Sequence, residues 1–166
     1  MVEFLEAKEG DYQAICDLVS SPDELYWVHP RGHYPWTPEQ IRRLASERKE
    51  LTVAVREGEI LAFANLYDLQ PKSHAFIGNL IVGSGYRKQG IGREMLRHML
   101  ALAVEKYRLA EARISVFSHN VQALLLYADL GFTPYGIEER RDLHGERVAL
   151  VHLAKNLDTE LTSLCR

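Results

Sequence analysis

The chain has only two cysteines in 166 residues, Cys16 and Cys165, far apart and in no metal-like spacing. That argues against a disulfide framework and fits two free thiols in a reducing, cytoplasmic compartment. Neither sign of charge dominates: 20 Lys and Arg against 23 Asp and Glu leave a net −3, so nothing attracts a polyanion such as nucleic acid in general. Every apolar run is broken by charge before membrane-spanning length, and the start Met1-Val2-Glu3-Phe4-Leu5-Glu6 lacks the basic and then apolar order of a signal peptide. There is no repeat, low-complexity tract or linker. Two familiar phosphate loops are missing as well. No Gly-x-x-x-x-Gly-Lys-Ser/Thr occurs, and after Gly83-x-Gly85 a lysine, Lys88, stands where a dinucleotide fingerprint needs its third glycine. The length suits one domain, expected over residues 1–157 with a tail over 158–166, burying about two-thirds of its unfolded surface.

What is present is an alternation of strand and helix patterns. Strands are expected at 2–7, 51–56, 60–69, 74–82, 112–117, 133–141 and 147–155, and helices at 11–19, 37–48, 90–107 and 120–130. Thr37-Pro38-Glu39-Gln40 is the clearest helix start, with Thr37 as cap, Pro38 at the first position and Gln40 closing a capping box. Residues 20–36 carry Pro22, Pro30, Gly32 and Pro35 and read as irregular. The expected order is βααβββαβαββ, an α/β fold on a mixed sheet.

The most informative segment is Arg87-Lys88-Gln89-Gly90-Ile91-Gly92, between the apolar run ending at Val82 and a helix marked by Met95, Leu96, Met99, Leu100 and Ala103. A strand, a basic glycine-bearing turn and a helix start offer unpaired N–H groups and a positive dipole end to an anion. Glycines there also leave room for the anion to approach the backbone. By itself the segment fits equally an ordinary glycine loop with a solvated basic flank.

Together these residues resemble the GCN5-related N-acetyltransferases, whose signature Arg/Gln-x-x-Gly-x-Gly/Ala is filled by Arg87, Gly90 and Gly92. The resemblance continues through the strand 112–117, Asn120, Tyr127 and Gly131-Phe132, covering about residues 73–157. It implies acetyl-coenzyme A as acyl donor and direct transfer to an amine, with splayed central parallel strands. It assigns the pyrophosphate to the turn at Arg87, Lys88, Gln89, Gly90, Ile91 and Gly92, the pantetheine arm to Leu80, Ile81 and Val82, and a further cofactor contact to Asn120. Tyr127 becomes the general acid that protonates the departing thiolate. The residues alone leave Asn120 as a helix cap and Tyr127 as a core aromatic.

The base is the gap. Positions where some members carry a glutamate hold Phe76 and Ser115, leaving Glu24, His33, Asp68, His74 and His119 as substitutes, or ordered water. The aromatic segment 20–36 is expected to shape the acceptor site, with Glu24, Trp27, His33 and Tyr34 as substrate residues; a covering loop or a subunit contact is the other reading. His29 and His33 have zinc-like spacing, but Pro30 and Gly32 argue against the helix it requires, and no metal is expected. The expected function is therefore acetyl transfer to a small-molecule or protein amine. A non-catalytic acyl-coenzyme A sensor of the same fold is the alternative, and the last strand edge could pair two subunits.

Overall fold

The computed structural model describes residues 1–164. In chain order it contains β1 (Glu3–Glu6), a 3₁₀ turn (Glu9–Asp11), α1 (Tyr12–Cys16), α2 (Pro22–Val28), α3 (Pro38–Glu47), β2 (Lys49–Arg56), β3 (Glu59–Gln70) and β4 (His74–Val82). A second 3₁₀ turn (Ser84–Tyr86), α4 (Ile91–Glu105), β5 (Glu111–Phe117), α5 (Val121–Asp129), β6 (Thr133–Arg141), β7 (Arg147–Asn156) and α6 (Asp158–Leu164) follow. The strands lie in the order β1-β2-β3-β4-β5-β7-β6, a mixed sheet as expected. Each expected strand is present, β4 and β6 with the expected ends.

Three helical segments depart from the sequence reading. Residues 22–28 are a helix, because Ser21 caps it by accepting the Glu24 N–H at 3.1 Å, Pro22 takes the first turn, and Asp23 and Glu24 face its positive end. Ser21-Pro22-Asp23-Glu24 is itself a helix-start signal. The first helix is shorter than expected: it ends at Cys16, short of residue 19, and a 3₁₀ turn over Glu9–Asp11 precedes it. Residues 158–164, expected as tail, form α6, whose first N–H is met by the Asn156 carbonyl side chain at 2.8 Å. In α3, Thr37 caps Gln40 N–H as expected, but the Gln40 side chain reaches the backbone of His33 and Pro35 rather than closing a box on Thr37.

Contacts group the chain into two compact units, Met1–Tyr67 with Gly78–Met99, and Asp68–Ile77 with the chain from Leu100. In the first, β1 runs antiparallel to β2, and β2 to β3 across the hairpin at Glu57 and Gly58. Both turn residues have positive φ, 54° and 81°, as a tight hairpin of primed type requires. Ile15, Leu25, Ile41 and Phe63 are fully enclosed in a core with Trp36, Val53 and Ile81. Each such side chain contributes about 1.5–3 kcal/mol through burial. Cys16 is also buried, which pushes its thiol up to about 11 and makes it unreactive. Cys165 lies outside the described residues.

A polar knot stands beside this core. Arg48 Nη1 donates to Asn65 Oδ1 (3.1 Å) and Asn79 Oδ1 (2.9 Å), Asn65 Nδ2 donates to Asn79 Oδ1 (2.7 Å), and Asn79 Nδ2 donates to the Val28 carbonyl (2.8 Å). Asn79 adopts φ +50° within β4, a conformation asparagine tolerates better than most residues. Beside it Gly78 has no room for a Cβ unless its neighbours shift, since that atom would overlap Arg48 Nη1 and stand 2.6 Å from the Tyr67 ring.

In the second unit, His74 to Ile77 of β4 pair in parallel with Glu111 to Ile114 of β5. β5 then pairs antiparallel with β7, and β7 with β6. Ala112, Ile114 and Val116 are buried, whereas Glu111, Arg113 and Ser115 alternate with them on a half-exposed face. The β6–β7 turn is closed by Asp142 Oδ1, which accepts the N–H groups of His144 (2.8 Å) and Glu146 (2.9 Å).

Candidate active site

In the first unit, β4 ends at Val82 and the chain passes through the 3₁₀ turn at 84–86 into residues 87–90, all exposed, before α4 begins at Ile91. Lys88 (φ +62°) and Gly90 (φ +82°) are left-handed. Backbone that curls in this way gathers N–H groups into a concavity suited to an anion. A Cβ on Gly90 would touch nothing, so the glycine answers to its φ rather than to crowding. The turn is braced from both sides: Gln89 donates to the Gly85 carbonyl (3.4 Å) and accepts from Arg56 Nη1 (3.2 Å). Of the strand residues assigned to the cofactor, Ile81 is buried in the core while Leu80 and Val82 alternate to the half-buried side.

Arg87 is engaged rather than free. Its Nε donates to the Val82 carbonyl (3.1 Å) and its Nη2 to Glu24 Oε1 (2.5 Å). Glu24 also accepts from the Ser20 hydroxyl (2.6 Å), so the carboxylate proposed to attract an amine is tied to the residue proposed to hold phosphate. Trp27 is half-buried and meets Tyr26 edge-on, with ring centroids 5.3 Å apart. His33 and Tyr34 are exposed, the Tyr34 hydroxyl donating to the Ser20 carbonyl (3.3 Å). Trp36, from the same segment, belongs to the core instead. A cleft of about 980 Å³ in this unit is lined by Leu18, Val53, Ile60 and Gly83 to Tyr86 among others, and residues 20–36 do not line it.

In the second unit, Asn120 caps α5, its Oδ1 accepting the Ala123 N–H at 3.2 Å. Two turns later Tyr127 is the buried residue of that helix, its ring centroid 6.1 Å from that of Phe132. Burial raises the Tyr127 phenol well above its ordinary value, so it stays protonated throughout the neutral range. Of the base candidates, His74 bonds to the Ser73 hydroxyl (2.9 Å), His119 is exposed, and Asp68 sits at φ +47° on β3.

A cluster that sequence reading passed over lies across three strands of this unit. Ser115 on β5 stands opposite His152 on β7, and its Oγ is 2.7 Å from His152 Nδ1. His152 Nε2 is 3.1 Å from Glu138 Oε2 on β6, and Tyr135 stacks on the imidazole with centroids 6.0 Å apart. Arg140, and then His152, hold the Glu138 carboxyl below the usual carboxylate range. The three residues are 37 and 14 positions apart in sequence, so only strand pairing brings them together. Among the described residues no group of three or more His, Cys, Asp or Glu could hold a metal ion, and no helix is long and apolar enough to cross a membrane.

The family model for the acetyltransferase (GNAT) family matches residues 11–132. The [ribosomal protein bS18]-alanine N-acetyltransferase of Escherichia coli strain K12 is 30% identical over 108 residues, 64% of this chain and 71% of that protein. The L-amino acid N-acetyltransferase AaaT of the same organism is 26% identical over 159 residues, 90% and 94% of the two chains. The crystal structure of the ribosomal-protein-S18-alanine N-acetyltransferase from Escherichia coli superposes with a TM-score of 0.71 at 24% identity, covering 94% of each chain.

Proposed function

The chain belongs to the GNAT acetyltransferase family, and from that premise we propose that it transfers the acetyl group of acetyl-coenzyme A directly to the primary amine of a small molecule or a protein. The observation that carries the reading is the exposed turn with left-handed Lys88 and Gly90 at the start of α4. Its backbone N–H groups and the helix dipole suit a diphosphate, with Lys88 and Arg87 supplying positive charge. Arg87 reaches that role by exchanging Glu24 for phosphate. Leu80 to Val82 offer main-chain groups to the pantetheine arm. An N–H near Leu80 or Ile81 polarises the thioester carbonyl, the type of contact that stabilises a developing oxyanion.

Transfer requires the amine to attack the thioester carbon, the carbon–sulfur bond to break, and the thiolate to be protonated. Tyr127 is assigned that last proton, because a phenol kept neutral by burial is a donor and not a competing base. Neither cysteine serves as an acyl carrier: Cys16 is enclosed in the core and Cys165 stands near no motif. The relatives' names cover a ribosomal-protein alanine, spermine and L-amino acids, so an amine is the acceptor chemistry they share. Calorimetry with acetyl-coenzyme A, followed by thiol release against a panel of amino acids, polyamines and peptide N-termini, tests the reading. Absence of binding heat rejects it, and binding without release on any amine leaves a sensor in its place.

A further inference from the structure

We propose that Ser115, His152 and Glu138 form a proton relay that accepts the proton of the incoming ammonium, the base that the sequence leaves unassigned. The inference rests on the acetyl-transfer reading and adds the group that makes the acceptor reactive. An alkylammonium with pKa ~10.4 is overwhelmingly protonated at neutral pH, so transfer needs a local acceptor. Imidazole is the side chain best matched to that task.

The hydrogen-bond pattern sets the direction. Glu138 is anionic and therefore only accepts, with Arg140 Nε donating to its other oxygen at 2.7 Å. The imidazole must then donate from Nε2, which leaves Nδ1 as the acceptor 2.7 Å from Ser115 Oγ. Ser115 in turn donates to Nδ1 and keeps its lone pairs for a donor arriving from outside. An ammonium is such a donor. As its proton passes to Oγ, the hydroxyl proton passes to Nδ1, and the imidazolium so formed lies against the Glu138 carboxylate. The neutral amine forms its bond to the acetyl carbon as the carbon–sulfur bond breaks. The thiolate takes the Tyr127 proton, the second proton lost by nitrogen restores the phenol through solvent, and His152 returns its own proton to solvent. One amide, one thiol and one released proton balance the step.

The surroundings suit this use. Tyr135 covers one face of the imidazole, and the His152 side chain is 23% exposed, so it is shielded without being sealed. The charged groups around it are Glu138 and Arg140 on β6 and Arg113 on β5, the last paired with Glu111 at 2.5 Å and lying 5.6 Å from the Tyr135 ring. The Phe76 ring lies 5.9 Å from the same guanidinium. This face therefore carries no uncompensated cation among these groups to repel an ammonium.

The test compares wild type with His152→Gln, Ser115→Ala and Glu138→Gln, reading kcat/KM against pH and acetyl-coenzyme A affinity by calorimetry. His152→Gln is expected to lower kcat/KM at neutral pH about 10²-fold, as loss of a general base does, with cofactor affinity unchanged. The deficit should shrink toward pH ~10, where the amine loses its proton unaided. Ser115→Ala should reproduce the deficit, and Glu138→Gln should move the acidic limb to lower pH. A His152→Gln enzyme with the wild-type rate and pH profile overturns the relay, as does a stable acetyl ester on Ser115. Nitrogen NMR of the His152 ring supplies a readout that needs no acceptor: an Nε2–H tautomer supports the relay and an Nδ1–H tautomer overturns it. If wild type acetylates no amine, the acetyl-transfer reading fails separately, and the ring tautomer still decides the geometry.

Discussion

The turn after β4 and the strand face of Ser115, His152 and Glu138, the two regions proposed to meet cofactor and acceptor, are built from different material. In the turn the groups are main-chain N–H, set by the φ of Lys88 and Gly90 and by the start of α4 within a few residues. On the strand face they are side chains from β5, β6 and β7, aligned by pairing Ser115 with His152 and placing Glu138 one diagonal away. A backbone site tolerates changes of side chain and fails when conformation changes. A side-chain site does the reverse, so substitutions should separate the two.

The sharpest separation is expected at Tyr127, in the same unit as the strand face. Tyr127→Phe should lower kcat by about 10²–10⁴-fold, the range for a lost general acid, with acetyl-coenzyme A affinity unchanged by calorimetry. Because burial raises this phenol, wild type should show no alkaline loss of rate from Tyr127 below about pH 10. A retained rate in the variant would remove side-chain acid catalysis from that unit.

In the unit holding the turn, pH should act on stability instead. Burial first, then the charges of Arg48 and Arg31, lowers His29 from 6.5 to about 4. Its folded value is depressed, so below pH 6.5 the unfolded chain binds the proton that the folded chain refuses. The stabilisation is complete above pH 6.5 and is lost as pH falls toward 4, up to about 3 kcal/mol in all. Urea titrations at pH 7 and pH 4.5 should show the slope, and His29→Gln should flatten it.

Gly90→Val tests the turn itself. Forcing a branched residue to φ +82° costs about 1–2 kcal/mol, and acetyl-coenzyme A affinity should fall about tenfold. Gly85→Ala is the control, since a Cβ there meets nothing and its φ is not left-handed. Equal affinities for the two variants would show that the turn's conformation does not matter to binding. The smallest effect is expected for Asn120→Ala, which removes the α5 cap. Thermal unfolding should report a loss of about 1 kcal/mol, with cofactor affinity weakened only a few-fold.

Much of the fold was legible because its signals are local. The apolar run of β4, the Thr37-Pro38 start of α3 and the Asn120 cap each occupy a few adjacent residues, and all appear where expected. The helix at 22–28 is equally local in its cap, but Pro22 and the later Pro30, Gly32 and Pro35 are loop signals over the same stretch. Glu24 shows the limit differently. Its carboxylate reads as a free anion in sequence, yet 63 positions separate it from Arg87, the partner that occupies it. Trp36 likewise reads as part of an aromatic surface segment and is 4% exposed in the core.

Sequence alone determined the order of the strands and the glycine turn before α4, because periodicity, capping and glycine placement act over spans shorter than one helix. Tertiary structure alone decided which of these side chains lie within hydrogen-bond distance of one another. Ser115, His152 and Glu138 have no local pattern in common, and a shift of one residue in either strand register would turn their side chains to opposite faces of the sheet.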